Sequence, residues 1–435
     1  MIFSPEYDFA ESLDKQDSLY SFRSEFLIPE NSSGEQETYL CGHSLGLQPV
    51  RTKDYIGEVL SSWQHRGVRG HFQGDYPWVP YHELLQEKTA MLVGALPTEV
   101  IAMNTLTANL HMMMVSFFRP DKDRYRILIE EQAFPSDYYA AETQLRYHGL
   151  NPDDALIVVR PDQGCSISVD AWKSAIDRYH SSAALLLLPG VQYLTGQSFP
   201  VAEIADFAAR RGIVVGLDLA HAVGNIPLQL HDWSVDFACW CHYKYLNSGP
   251  GAVGGCFVHE KHCKNKKLPR FAGWWGQRKD IRFNMRPGFD PVMTAEGWQL
   301  SNPPIVSLAA IRASLDIFAE AGGMEPLRKK SLLMTCYLEY LAKDLPGFHC
   351  LTPSDPEQRG AQLSFQTDPD HCDARTLVSR AESRGIICDF REPDIIRLAP
   401  VPLYNHFTDV WRCVQQFREI LTEDTQASVS SGRPG

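Results

Sequence analysis

From residue 100 onward, short apolar runs alternate with longer amphipathic stretches. Strand-sized runs rich in Val, Ile and Leu occur at 100–103, 126–130, 156–160, 183–188 and 213–218. Between them, 108–118, 138–148, 169–179 and 201–210 carry apolar residues at helical spacing. Strands alternating with helices over short loops predict an α/β fold, with right-handed βαβ units and a mostly parallel sheet sandwiched by helices. Ligands of such sheets bind beyond the carboxyl ends of the strands, where Asn104, Phe134, Pro189 and Asp218 fall.

Upstream, 55–63 and 81–93 read as helices. Downstream, 305–320 reads as a long helix leaving the sheet domain. Helices at 327–343, 374–384 and 409–421, with strands at 362–366, 387–390 and 395–398, predict a small α+β domain. The expected division is an N-terminal segment, 1–48, packing with the small domain, a large domain, 49–305, the small domain, 306–424, and a disordered tail, 425–435.

Composition narrows the function classes. With 435 residues, 44% hydrophobic and 22% charged, the chain can bury a large core. A formal charge of −12 argues against nucleic acid or an anionic membrane as the main partner. No apolar run reaches bilayer length, and the acidic amino terminus lacks the basic and apolar regions of a signal peptide, so a cytoplasmic location is expected. The 11 cysteines are scattered, which suits reduced thiols. Cys239-Trp240-Cys241 has the wrong spacing for zinc, and no metal site is expected.

The segment from Asp218 to Lys244 carries the chemistry. An apolar run ends in Asp218, and one supersecondary unit later Lys244 stands among aromatics in His242-Tyr243-Lys244-Tyr245. This is the layout of a pyridoxal phosphate site, with a Schiff-base lysine and an acid that pairs with the pyridine nitrogen. A surface lysine is the commoner fate of any single lysine, but Asp218 and His221 precede this one in the expected order. Asn104-Thr105-Leu106-Thr107, where a strand gives way to a helix, reads either as a phosphate site or as an ordinary N-cap. In Phe134-Pro135-Ser136-Asp137, Phe134 can stack on a pyridine ring, with Ser136 and Asp137 polar beside it. Gly249 to Gly254 formally matches G-x-G-x-x-G, but the residues after it look like a strand, which excludes a nicotinamide reading. Arg397, alone in an apolar strand, needs an anionic partner, either Asp389 or a substrate carboxylate; the cofactor argument favours the substrate.

These motifs together resemble the kynureninases. Tyr39 to Pro49, Phe134 to Asp137, Asp218 through Asn247, Gly273-Trp274-Trp275-Gly276, Ser301 to Ile305 and Arg397 to Pro402 match that family in order, over roughly 39–421. The resemblance implies a fold type I pyridoxal phosphate enzyme with a seven-stranded sheet. It implies that Lys244 carries the cofactor, Asp218 holds the pyridinium and Phe134 stacks on the ring. Leu106, Thr107, Ser136, Asp137, His221, Tyr243, Trp274 and Asn302 complete the cofactor shell. Ser44, His71 and Asn302 contact the aryl ketone of the substrate, Arg397 its α-carboxylate, and Tyr243 relays a proton. Some of these residues arrive from the second subunit of a homodimer. The implied reaction is hydrolysis of L-kynurenine or 3-hydroxy-L-kynurenine to anthranilate or 3-hydroxyanthranilate plus L-alanine, in tryptophan catabolism and NAD biosynthesis.

Two positions depart from the family pattern: His43 stands where asparagine is expected, and Pro189 where relatives carry a hydroxyl. Proline cannot donate a hydrogen bond, so weaker cofactor affinity is expected there. The alternatives are a cysteine desulfurase or aminotransferase on the same scaffold, or a catalytically impaired homologue with a binding role.

Overall fold

A computed structural model describes residues 2–369 and 373–431. Seven strands form the main sheet: β1 (Val100–Ala102), β2 (Arg126–Glu130), β3 (Leu156–Val159), β4 (Ala183–Pro189), β5 (Val214–Asp218), β6 (Phe237–Cys241) and β7 (Gly254–Val258). Their order is β1-β7-β6-β5-β4-β2-β3. The pairs from β6 through β3 are parallel, and β7 runs antiparallel to both neighbours.

The strands are continuous apolar runs because both faces are covered. Leu128, Leu186, Leu188, Val215 and Leu217 enter one core cluster, while Ile127, Ile129, Leu185 and Leu187 enter another. The glycine-rich match at 249–254 is the turn into β7. A side chain at Gly255 would collide with the Trp240 ring, so the glycine serves strand packing.

A second sheet holds β8 (Phe348–Cys350), β9 (Leu363–Thr367), β10 (Asp389–Arg391) and β11 (Ile395–Leu398), in the order β8-β9-β11-β10. It shares a separate core with the helices Met324–Ala342, Ala374–Glu382 and Phe407–Ser431.

The packing differs from the sequence expectation in three places. The helix Ile305–Glu320 does not leave the large core: Leu308, Ile311, Leu315 and Phe318 are buried in it. Its apolar residues lie all round, which suits a helix enclosed on every side. The two cores part within the next helix, where Leu327 joins the first and Met334 the second. The N-terminal segment straddles both, with Ala10 and Leu13 in the small core but Leu19, Phe26 and Leu47 in the large one. The last helix continues to Ser431, past the point where a disordered tail was expected to begin. Nothing between 422 and 431 is glycine or proline, and the stretch therefore has no local stop signal. Residues 432–435 of the expected tail lie outside the described residues.

The loop carrying Trp274 is anchored through a buried acid. Glu296 accepts from His82 Nε2 at 3.1 Å and Gln86 Nε2 at 3.2 Å, and pairs with Lys279 Nζ at 2.9 Å. Burial alone would raise the Glu296 pKa, but His82 and Lys279 outweigh it and hold the carboxyl down at about 2. A depressed carboxylate stabilises the fold above its ordinary pKa and loses that contribution as pH falls through the depressed value. Acidification from about pH 4.5 toward 2 is therefore expected to remove on the order of 2–3 kcal/mol at this site. Thermal melts across that range should show a shallower acid loss for Glu296→Gln than for the parent; parallel curves would refute the assignment.

Candidate active site

A cavity of about 270 Å³ opens at the carboxyl ends of the parallel strands. Its wall includes Thr105, Leu106 and Thr107 from the loop after β1, Phe134, Ser136 and Asp137 from the loop after β2, and Asp218 and His221 after β5. Tyr243 and Lys244 close it from the loop after β6. These residues lie far apart in sequence but share one edge because parallel strands present the same end to the same side.

Each segment is held by specific local structure. Asn104 adopts a left-handed backbone conformation (φ 50°) that turns the chain into the helix Leu106–Phe117. Its side chain donates to Asn109 Oδ1 at 2.9 Å, and Gly254 N donates to its carbonyl at 2.8 Å. The Thr105 side chain makes no cap hydrogen bond, so the first-turn N–H groups remain available to an anion. Gln132 (φ 58°) and Asn247 (φ 51°) are likewise left-handed, beside Phe134 and Lys244. Clustered strained residues of this kind mark places where the surrounding structure holds functional loops in position.

Lys244 is buried, with Nζ 3.0 Å from His221 Nε2. Its Nζ lies 5.7 Å from the Phe134 ring centre and 5.9 Å from that of Tyr243. Burial first, and the Lys244 charge second, push the His221 pKa well below its ordinary value, so the imidazole is neutral. Its Nδ1 is buried without a partner.

Asp218 Oδ1 accepts from Ala220 N at 2.7 Å. Burial first, and the Asp218 charge second, push the Asp137 carboxyl well above the carboxylate range. Burial likewise raises the Tyr243 phenol, which stays protonated as a donor.

The turn bearing Ser44 packs against the lysine segment. Gly46 N donates to the Tyr243 carbonyl at 2.8 Å, and a side chain at Gly46 would collide with Asn247 and the Lys244 carbonyl. Ser44 itself is exposed.

The arginine expected to bind substrate has a partner within the chain. Arg397, 1% exposed, is paired with Asp389, and its Nη1 donates to the Tyr193 carbonyl at 2.7 Å. The expectation favoured a substrate carboxylate, whereas here the protein carboxylate faces it. Strand pairing is the reason: Asp389 on β10 lies directly opposite Arg397 on β11. Arg397 Nε remains buried without a partner, so donor capacity is left over. Asp389 also accepts from His43 Nε2 at 3.1 Å and Arg391 Nη2 at 3.1 Å. Burial drives the enclosed His43 to a pKa of about 3, so it is neutral.

Five expected site residues do not line the cavity: Ser44 and Arg397, described above, and Trp274, Asn302 and His71. Trp274 is 40% exposed and its indole donates to the Arg282 carbonyl at 3.0 Å. Asn302 lies on an exposed loop, and His71 packs edge-on to Trp78. Conversely, Glu130, Val191, Tyr193 and Ala220 line the cavity without having been singled out. Glu130 was detectable, since it ends a strand at the ligand-binding edge.

The donor set suits pyridoxal phosphate: an uncapped helix N-terminus for phosphate, an aromatic face, an acid for the ring nitrogen, a buried lysine, and an unpartnered imidazole nitrogen on His221. Comparison with known proteins agrees. Residues 327–417 match the model of the kynureninase C-terminal domain. The chain is 49% identical over 418 residues to a kynureninase from Koribacter versatilis, covering 95% of this chain and 98% of that protein. It is 52% identical over 409 residues to one from Xanthomonas campestris, covering 93% and 96%. Among solved structures, the cysteine desulfurase CsdA from Escherichia coli superposes with a TM-score of 0.74 at 17% identity, covering 97% of this chain and 99% of that one. The cystine C–S lyase C-DES superposes at 0.72, with 17% identity and coverage of 89% and 97%. These structures share the fold of the type I pyridoxal phosphate enzymes, and the sequence relatives are more specific: the chain belongs to the kynureninase family.

Proposed function

We propose that the chain hydrolyses L-kynurenine or 3-hydroxy-L-kynurenine to anthranilate or 3-hydroxyanthranilate plus L-alanine, using pyridoxal phosphate, in tryptophan catabolism and NAD biosynthesis. The observation that carries this reading is near-full-length identity of about half with curated kynureninases, together with Lys244, Asp218 and Phe134 on one cavity. The desulfurase reading has less support, because no cysteine among the described residues lines that cavity.

When bound, the cofactor supplies an electron sink for negative charge developing on the substrate. Lys244 is the amine that holds the cofactor and, once released, moves the proton at the substrate Cα. Asp218 keeps the pyridine nitrogen protonated. Thr105, Leu106 and Thr107 offer backbone N–H groups to the phosphate, with Ser136 nearby. Tyr243, a protonated phenol, delivers the proton that completes alanine. Arg397 takes the α-carboxylate with its spare donors, while Ser44, His71 and Asn302 face the aryl ketone.

A homodimer completes this arrangement. It is supported by Trp274, Asn302 and His71 lying outside the wall of the single-chain cavity, and by an apolar groove beside the Ser44 turn lined by Leu27, Leu45, Ile56 and Val306. Mixing inactive Lys244→Ala and Trp274→Ala subunits should restore part of the activity; no recovery would exclude a Trp274 contribution across subunits.

Chromatography of products from both substrates tests the reaction: keto acid in place of alanine would refute hydrolysis. His71 and Asn302 can hydrogen-bond a ring hydroxyl, which favours the 3-hydroxylated form, and steady-state kinetics on the same pair tests this preference. Arg397→Ala is expected to raise KM by roughly 10- to 100-fold, the loss of a charge-assisted pair, with a smaller change in kcat. An unchanged KM would remove Arg397 from carboxylate recognition.

A further inference from the structure

His43 is fully buried in a segment anchored at both ends. At one end Leu40 sits beside the second sheet: its N donates to the Ile387 carbonyl at 2.8 Å, and its carbonyl accepts from Ala399 N at 2.9 Å. At the other end Gly46 N donates to the Tyr243 carbonyl, next to Lys244. Between these anchors, His43 Nε2 lies 3.1 Å from Asp389 Oδ2, and the ring centre is 6.3 Å from that of His221. The other nitrogen, Nδ1, is buried with no hydrogen-bond partner among the described residues. Asp389 is thus the group that holds this ring.

Asp389 also faces Arg397. The two are directly opposite in the antiparallel pair of β10 and β11, so their side chains lie on the same face of the sheet. His43, Arg391 and Arg397 all meet the same carboxylate oxygen, Oδ2. A carboxylate flanked by two guanidiniums is ionised and only accepts, so the proton on this edge of the imidazole belongs to Nε2. One carboxylate oxygen offers about two lone-pair directions, and three donors share them here. Whatever acceptor capacity His43 takes is therefore withdrawn from Arg397. The Arg397 Nε already lacks a partner among the described residues.

Resting on the reading that Arg397 takes the substrate α-carboxylate, we propose that His43 is a positioning residue for that recognition. Its Nε2–H occupies the Asp389 oxygen that Arg397 also uses, which loosens the hold of Asp389 and leaves Arg397 donors for an incoming carboxylate. The same hydrogen bond ties the turn bearing Ser44 to β10. Without it, Asp389 closes on Arg397 and competes more strongly with the substrate.

The test compares two amines that differ only in the carboxylate: L-alanine, and ethylamine, which lacks it. Each is titrated into the holoenzyme, following the visible band of the bound cofactor. His43→Phe keeps a ring and removes the donor, and His43→Leu removes both. Each is expected to weaken L-alanine binding roughly three- to tenfold, the effect of one hydrogen bond, and to leave ethylamine within about twofold. His43→Gln places an amide N–H near the position of Nε2 and should stay within about twofold of the parent for both amines. With L-kynurenine as substrate, the loss in His43→Phe should fall on KM, with a smaller change in kcat. Melting of each variant confirms its fold. A purely structural histidine would move both amines together or neither. Equal weakening of the two amines, unchanged L-alanine binding in a folded His43→Phe or His43→Leu, or a His43→Gln that loses as much as these would overturn the proposal. A parent that binds L-alanine no better than ethylamine, or whose preference survives Arg397→Ala, overturns the underlying reading instead.

Discussion

Replacing Lys244 with alanine is expected to lower turnover by at least about four orders of magnitude, the scale seen when a covalent catalytic group is removed. The same variant should lose the visible absorbance of the lysine-bound cofactor while still binding pyridoxal phosphate, because the phosphate and ring contacts belong to other segments. The geometry makes this specific. Lys244 Nζ is enclosed by His221 at 3.0 Å and by the rings of Phe134 and Tyr243, and no other amine among the described residues lines the cavity. Normal turnover in Lys244→Ala would sink the assignment of the reaction, whereas loss of activity with loss of fold would not test it. A melting curve therefore accompanies the assay.

Asp218→Asn should leave the cofactor in place and lower kcat by roughly 10²–10³-fold, as expected when one preorganised electrostatic contact in a buried site is removed. An amide cannot hold the pyridine nitrogen in its charged form, so the ring becomes a poorer electron sink. The neighbouring Asp137 offers no easy substitute, since burial already pushes its carboxyl well above the carboxylate range. The cofactor absorbance in Asp218→Asn should persist but with altered pH dependence. Full activity in this variant would mean that another group protonates the ring, and Asp137 would then be the first to examine.

The sheet and most of its elements were legible because each carried a local signal. The runs at 126–130 and 395–398 coincide with observed strands, and 169–179 with an observed helix. Fully buried strands give uninterrupted apolar runs, and helices between them show the 3.6-residue period. Where several packing partners surround one element, that local signal ends. The helix Ile305–Glu320 is apolar on all sides, which marks it as enclosed without saying by which core.

The site divides in the same way. Lys244, Asp218, Phe134 and the Thr105–Thr107 turn were readable from order, spacing and the strand-end rule, and they converge on one cavity. Pairing across space was not readable. Arg397 needed an anion on any reading, but that Asp389 is the one facing it follows from the register of β10 against β11. His43 was visible as an unusual residue; its link to the same Asp389 required knowing that the Ser44 turn and β10 come together.

The sequence alone therefore determined the cofactor chemistry. The Asp218-to-Lys244 segment is short-range information, in which residue types and spacing already state what the group can do. The environment of each charged group came only from the folded chain. Glu130, Asp137 and Asp218 end or follow different strands, and parallel packing brings their carboxyls into one buried wall. Burial and mutual repulsion there push the Glu130 and Asp137 carboxyls well above the carboxylate range. Desolvation and charge–charge interaction depend on distance in space, which residue order does not encode.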